Sequence, residues 1–163
     1  MKRILLALLL STFVCSADEP IGAILRPAKD IVLHLKDGKN PTALHLAAAP
    51  YISQGVITLY PGDKIIVEFD LVDSQPANPR VVKAITHPER TLELEMTQDK
   101  GLTGVNRKSG FAKKLTMDSY FLTLGSDFKN HANMYPLDKT LPCFDGFEPK
   151  TYCIKLYSFG LAD

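Results

Sequence analysis

Apolar side chains recur at every second residue through much of this chain, and that period leaves few folds open. In "TLELEMTQ" (91–98), Leu92, Leu94 and Met96 share one face while Glu93, Glu95 and Thr97 share the other. "KIIVEFDLV" (64–72) sets Ile65, Val67, Phe69 and Leu71 against Glu68 and Asp70. "TYCIKLYSF" (151–159) alternates Tyr152, Ile154 and Leu156 with Cys153, Lys155 and Tyr157, and Ile31, Leu33 and Leu35 alternate with Val32 and His34. Successive side chains on a strand point to opposite faces, so each segment reads as a strand with one buried and one wet face. Turn chemistry separates them: "DGKNP" at Asp37, "YPGD" at Tyr60, "DSQPANP" at Asp73, "KGLTG" at Lys100 and "FDGF" at Phe144. Pro61-Gly62 suits the centre of a type II turn, with glycine at the position that needs positive φ. The expected fold class is all-β, an antiparallel β-sandwich of immunoglobulin-like or jelly-roll-like type. No long helix is expected after the N-terminus; "TALHLAAAPY" could instead form a turn or two of helix ending at Pro50.

The first residues point to export. Lys2 and Arg3 precede the apolar "ILLALLL", and "CSA" places a small residue before "DEP". This is the layout of a secretory signal peptide, predicted over 1–17 with cleavage after Ala17, leaving a single domain over 18–163 and a periplasmic or secreted location. Cys15 raises the alternative of a lipid anchor, but Thr12, Phe13 and Val14 depart from the small and aliphatic residues such a signal uses. No later stretch is apolar for long enough to span a bilayer. The whole chain carries 19 Lys and Arg against 18 Asp and Glu; losing Lys2 and Arg3 leaves 17 against 18, a net charge of −1. That balance argues against a nucleic-acid partner, which demands many uncompensated cations. "NPT" at Asn40 carries proline in the excluded place of a glycosylation acceptor, which fits a bacterial exported protein. Two cysteines remain after cleavage, and in an exported chain Cys143 and Cys153 are expected to form a disulfide.

The "YPGD" turn between apolar strands resembles turns common in exported immunoglobulin-like and cupredoxin-like sandwiches. A blue-copper site does not follow, since it needs a late cysteine followed closely by His and Met. Cys143 is followed by "FDGFEPKTY" and Cys153 by "IKLYSFGLAD". The compact motifs of serine hydrolases, zinc proteases, nucleotide-binding loops and dithiol redox sites do not occur in the sequence.

Four groups of residues are candidates for function. If 31–36 and 43–48 pair as a hairpin with Leu33 opposite Leu46, His34 falls opposite His45, close enough to share a metal ion. Lys100, Arg107, Lys108, Lys113 and Lys114 form a basic cluster able to dock an acidic partner or head group. The long stretch Gly125 to Pro142 contains His131 and Tyr135, with Phe128, Met134, Tyr135 and Leu137 available to pin it to the core. Tyr51, Phe111, Tyr120 and Tyr135 are possible stacking rings for a sugar. The paired carboxylates Glu68/Asp70 and Glu93/Glu95 are expected on solvated faces. Together these predict a non-enzymatic binding or envelope-associated module without a cofactor, whose partner is a protein or cell-envelope component. The alternatives are an exported hydrolase with scattered catalytic residues, His131 first among them, or a metal-binding protein using His34 and His45.

Overall fold

The computed structural model describes residues 24–35, 41–99, 101–126, 128–139 and 141–163. The predicted signal peptide, Lys100 and the "DGKN" turn (37–40) lie outside the described residues. Among the described residues fourteen strands run in chain order: β1 (Leu25–Arg26), β2 (Lys29–Leu33), β3 (Thr42–Leu46), β4 (Ala49–Pro50), β5 (Ile52–Ser53), β6 (Val56–Leu59), β7 (Lys64–Val72), β8 (Gln75–Val82), β9 (Thr91–Asp99), β10 (Leu102–Ser109), β11 (Lys114–Thr123), β12 (Asn130–Ala132), β13 (Cys143–Phe147) and β14 (Thr151–Ala162). One 3₁₀ turn, Pro88–Arg90, precedes β9. Among the described residues no helix is long and apolar enough to cross a membrane.

The strands form two five-stranded antiparallel sheets, ordered β13-β10-β9-β7-β8 and β12-β11-β14-β6-β5, plus two-stranded ribbons β1-β4 and β2-β3. Both large sheets feed one core. Ile65, Val67, Phe69, Leu92, Leu94, Met96 and Val105 come from the first; Ile57, Leu59, Leu115, Met117, Ile154 and Leu156 come from the second. Phe69 stands at the centre, edge-to-face with Phe111 at 5.8 Å and with Phe159 at 4.9 Å. Such geometry adds about 0.5–1.5 kcal/mol per pair beyond area burial.

The period-two segments become β7, β9 and β14 with most of the predicted faces inward; Leu71 near the end of β7 is 49% exposed, and on β14 Tyr152 is only half-buried whereas Cys153, assigned to the opposite face, is fully buried. "TALHL" is strand β3, not helix. At the "YPGD" turn, Gly62 has φ of 84° and the Asp63 N–H donates to the Tyr60 carbonyl at 2.9 Å, as a type II turn requires.

That turn also holds the two ribbons. Asp63 is 2% exposed and its carboxylate accepts from the Tyr60 N–H at 2.9 Å and from Lys29 Nζ at 2.6 Å. Arg26, 3% exposed, brings Nη1 to 3.5 Å from the same carboxylate and lays its guanidinium 4.2 Å over the Tyr60 ring. A buried charge needs a partner, and here one carboxylate serves two cations carried on the β1–β2 segment.

A second ionic knot corrects the expectation for Glu68. It does face away from the core, yet it is only 3% exposed. Arg80, its register partner on β8, and Arg90, at 3.0 Å, both reach its carboxylate, and Thr86 donates to it at 3.2 Å. Burial alone would push this carboxyl up, but the hydrogen bonds and positive charges around it outweigh burial and hold it below the usual carboxylate range. The segment carrying Thr86 and Arg90 is what covers a face that periodicity marks as wet.

Cys143 and Cys153 are not paired. They stand on different large sheets, Cys143 on edge strand β13 and Cys153 on β14. The Cys143 sulfur is 3.5 Å from Arg107 Nη2, whereas Cys153 is fully buried beside Tyr60. Burial pushes the Cys153 thiol up to about 11 and the Tyr60 hydroxyl up to about 12. A thiol so protonated is a poor nucleophile at neutral pH.

Candidate binding face

The outer face of the β12-β11-β14-β6-β5 sheet gathers what the sequence scatters. Antiparallel pairing sets His131 opposite Tyr120, Tyr120 opposite Lys155, and Lys155 opposite Thr58. These four side chains form one row across β12, β11, β14 and β6. Three inter-strand gaps make the row about 14 Å long. In the neighbouring row Asp118 opposes Tyr157.

Tyr120 is the hub. Its ring centroid lies 5.9 Å from that of Tyr157 and 6.5 Å from that of His131. Lys129 Nζ lies 5.1 Å from the Tyr120 centroid and Lys155 Nζ lies 5.8 Å from it. Tyr120, Lys155 and Tyr157 are half-buried; Lys129 and His131 are exposed. Among the described residues, neither lysine has a carboxylate within ion-pair distance. Each cation–π contact at such a site is worth about 0.5–1 kcal/mol, enough to hold an ammonium in place but not to neutralise it. The result is two ammonium groups without an ion-pair partner beside a half-buried ring.

The predicted basic cluster does not assemble in this way. Arg107 is not on the surface: it is 1% exposed, with Nε 2.5 Å from Asp145 and Nη2 donating to the Tyr135 carbonyl at 3.3 Å. Alternation along β10 turns Arg107 to the same side as the core residue Val105, so it serves as an internal tie for the long 125–142 stretch. Lys108 is exposed but pairs with Glu93 at 2.9 Å, and Lys113 pairs with Asp163 at 2.5 Å. Lys114 is exposed at the start of β11.

The predicted histidine pair does not form. The β2–β3 register sets Lys29 opposite Leu46 and Asp30 opposite His45, whose Nδ1 lies 2.7 Å from the Asp30 carboxylate. His34 falls beyond β2, where its backbone N–H donates to Gln98 Oε1 at 3.0 Å. The hairpin forms four residues out of the predicted register. An even slip keeps every side chain on its own face, so the leucine pattern cannot distinguish the two. No group of three or more His, Cys, Asp or Glu side chains able to hold a metal occurs among the described residues.

Of the predicted stacking rings, Phe111 is 2% exposed in the core and Tyr51 packs against it under Arg26. Tyr120 anchors the face just described, and Tyr135 is 79% exposed on the long stretch. Leu137 and Met134 pin that stretch, Leu137 by exchanging backbone hydrogen bonds with Leu115 at 2.8 and 2.9 Å, whereas Phe128 and Tyr135 point outward at 78% and 79% exposure. Lys129, Lys155 and Tyr157 escape sequence reasoning. Their alternation along β14 marks Lys155 and Tyr157 as outward-facing, but nothing local says that Tyr120 stands beside them.

A groove of about 660 Å³ lies on the other sheet, lined by Ile66, Val82, Lys64, Glu93, Glu95 and Lys108 among others. In it Lys108 pairs with Glu93 and Lys64 lies 3.6 Å from Glu95, while Lys83 has no carboxylate within ion-pair distance among the described residues. No known protein family, no characterised protein and no solved structure matches this chain.

Proposed function

We propose that this chain is an exported, non-enzymatic binding module of β-sandwich architecture, immunoglobulin-like or jelly-roll-like, that attaches to a component of the cell envelope through the Tyr120 face. The observation that carries the reading is the row His131–Tyr120–Lys155–Thr58, with Lys129 and Lys155 uncompensated around the Tyr120 ring. Binding residues held on paired strands are placed more accurately than residues on loops.

The sandwich reading draws support from one core shared by two antiparallel sheets. Export draws support from the N-terminal signal pattern. Fractionation of native cells, with N-terminal sequencing of the recovered protein, tests this reading. Mature protein beginning at Asp18 in the periplasm or medium supports it. Protein recovered from the cytosol with residues 1–17 intact overturns it.

A further inference from the structure

We infer that the Tyr120 face is a binding site for an acidic polysaccharide, its pyranose rings lying against Tyr120 and Tyr157 and its carboxylates meeting Lys129 and Lys155. The inference rests on the binding-module reading above and names the ligand class for that surface.

The chemistry comes from the combination of groups. An aromatic ring offers a flat apolar surface that suits the C–H face of a sugar, and two rings 5.9 Å apart, tilted by 58°, offer a stepped platform for consecutive units. Stacking alone would accept neutral sugars equally well. Lys129 and Lys155 add the discrimination: each is held near the Tyr120 ring, and each lacks a carboxylate partner among the described residues. An incoming carboxylate completes an ion pair that the fold leaves open, in a charge-assisted hydrogen bond stronger than a neutral one. Thr58 and His131, at the two ends of the row, add hydroxyl and imidazole groups able to bond sugar hydroxyls.

Other polyanions fit less well. Nucleic-acid binding rests on displacing many counterions, and this face supplies two ammonium groups. The core of a protein interface is depleted of lysine, whereas two lysines stand at the middle of this face. A membrane surface needs large apolar side chains to insert beside the charges. Of those exposed, Leu71, Val72, Leu102 and Phe144 belong to the other sheet; Phe128, 78% exposed and next in sequence to Lys129, offers a single ring beside the charges rather than an apolar patch.

The test is a titration of the mature protein with polygalacturonate, its methyl-esterified neutral form, and a single-stranded oligonucleotide. The expected result is saturable binding to polygalacturonate, at least tenfold weaker binding to the ester, and no preference for the oligonucleotide. Tyr120→Ala and the double substitution Lys129→Ala/Lys155→Ala should each weaken polygalacturonate binding about tenfold or more. Lys108→Ala, which removes an exposed lysine on the other sheet, should bind like the parent. Near-ultraviolet circular dichroism of each variant separates loss of the site from loss of the fold. Equal binding of acid and ester, tighter binding of the oligonucleotide, or equal weakening by Lys108→Ala overturns the inference. If the protein is exported but binds no polygalacturonate, the ligand class falls and the module reading stands; if it is cytosolic, the module reading itself falls.

Discussion

Replacing Asp63 by alanine is expected to cost about 3–5 kcal/mol of stability, the penalty for stranding a buried ionic partner. Asp63 and Arg26 are 2% and 3% exposed, and this carboxylate is the counter-charge for both Arg26 and Lys29. Nε and Nη1 of Arg26 have no hydrogen-bond acceptor even with Asp63 in place, so the guanidinium depends on that charge and on the Tyr60 ring. Arg26→Met should cost less, about 1–2 kcal/mol. Asp63 would still hold Lys29 Nζ and the Tyr60 N–H, and an apolar chain can lie on Tyr60. Urea unfolding measures both: the midpoint should fall with an unchanged slope, further for Asp63→Ala than for Arg26→Met. A cost below about 1 kcal/mol for Asp63→Ala, the scale of an exposed pair, would mean that the β1–β2 segment is not clamped at the "YPGD" turn.

Gly110→Ala is expected to be nearly as damaging, at about 3 kcal/mol or more. A Cβ there would sit 1.6 Å from the Pro88 carbonyl oxygen and 2.8 Å from its carbon. Both are backbone atoms, and Gly110 N–H donates to the Thr91 carbonyl at 2.9 Å, so the loop cannot simply back away. Moving Pro88 would also disturb the 3₁₀ turn that carries Arg90 to Glu68. Gly104→Ala provides the contrast. Its Cβ would meet the Phe144 ring at 2.3 Å, but Phe144 is 53% exposed and can swing into solvent, so the cost should stay near 1 kcal/mol. Thermal melts of the two variants should separate clearly; equal melting temperatures would contradict the close approach at Pro88.

Periodicity made much of this fold legible, and its limits follow from what a period can encode. The segment 64–72 coincides with β7, and Leu92, Leu94 and Met96 point into the core as their spacing requires. Parity along a strand assigns faces, but it assigns neither partner nor register. The leucines of β2 and β3 fixed which side was buried and left the four-residue slip open, so the histidine pair dissolved into His45–Asp30. Parity was also strong enough to send a charge inward: Arg107 shares the side of Val105, and Asp145 from β13 completes it. Glu68 failed for another reason. Its face was right, but coverage by Thr86 and Arg90 is a long-range fact. The disulfide failed because sequence proximity of the two cysteines says nothing about which sheet each strand joins. The Tyr120 face has the same origin, since its four aligned residues come from four strands that only sheet order makes neighbours.

The most direct test of the central claim, that the outward row of the β12-β11-β14-β6-β5 sheet is the working surface, is a map of where an acidic oligosaccharide touches the protein. In ¹H–¹⁵N spectra of the protein titrated with oligogalacturonate, amide shifts should concentrate at Thr58, Tyr120, Lys129, His131 and Lys155 and their immediate neighbours. Shifts centred instead on the groove around Lys64, Glu93 and Lys108, or spread evenly over every exposed lysine, would contradict it.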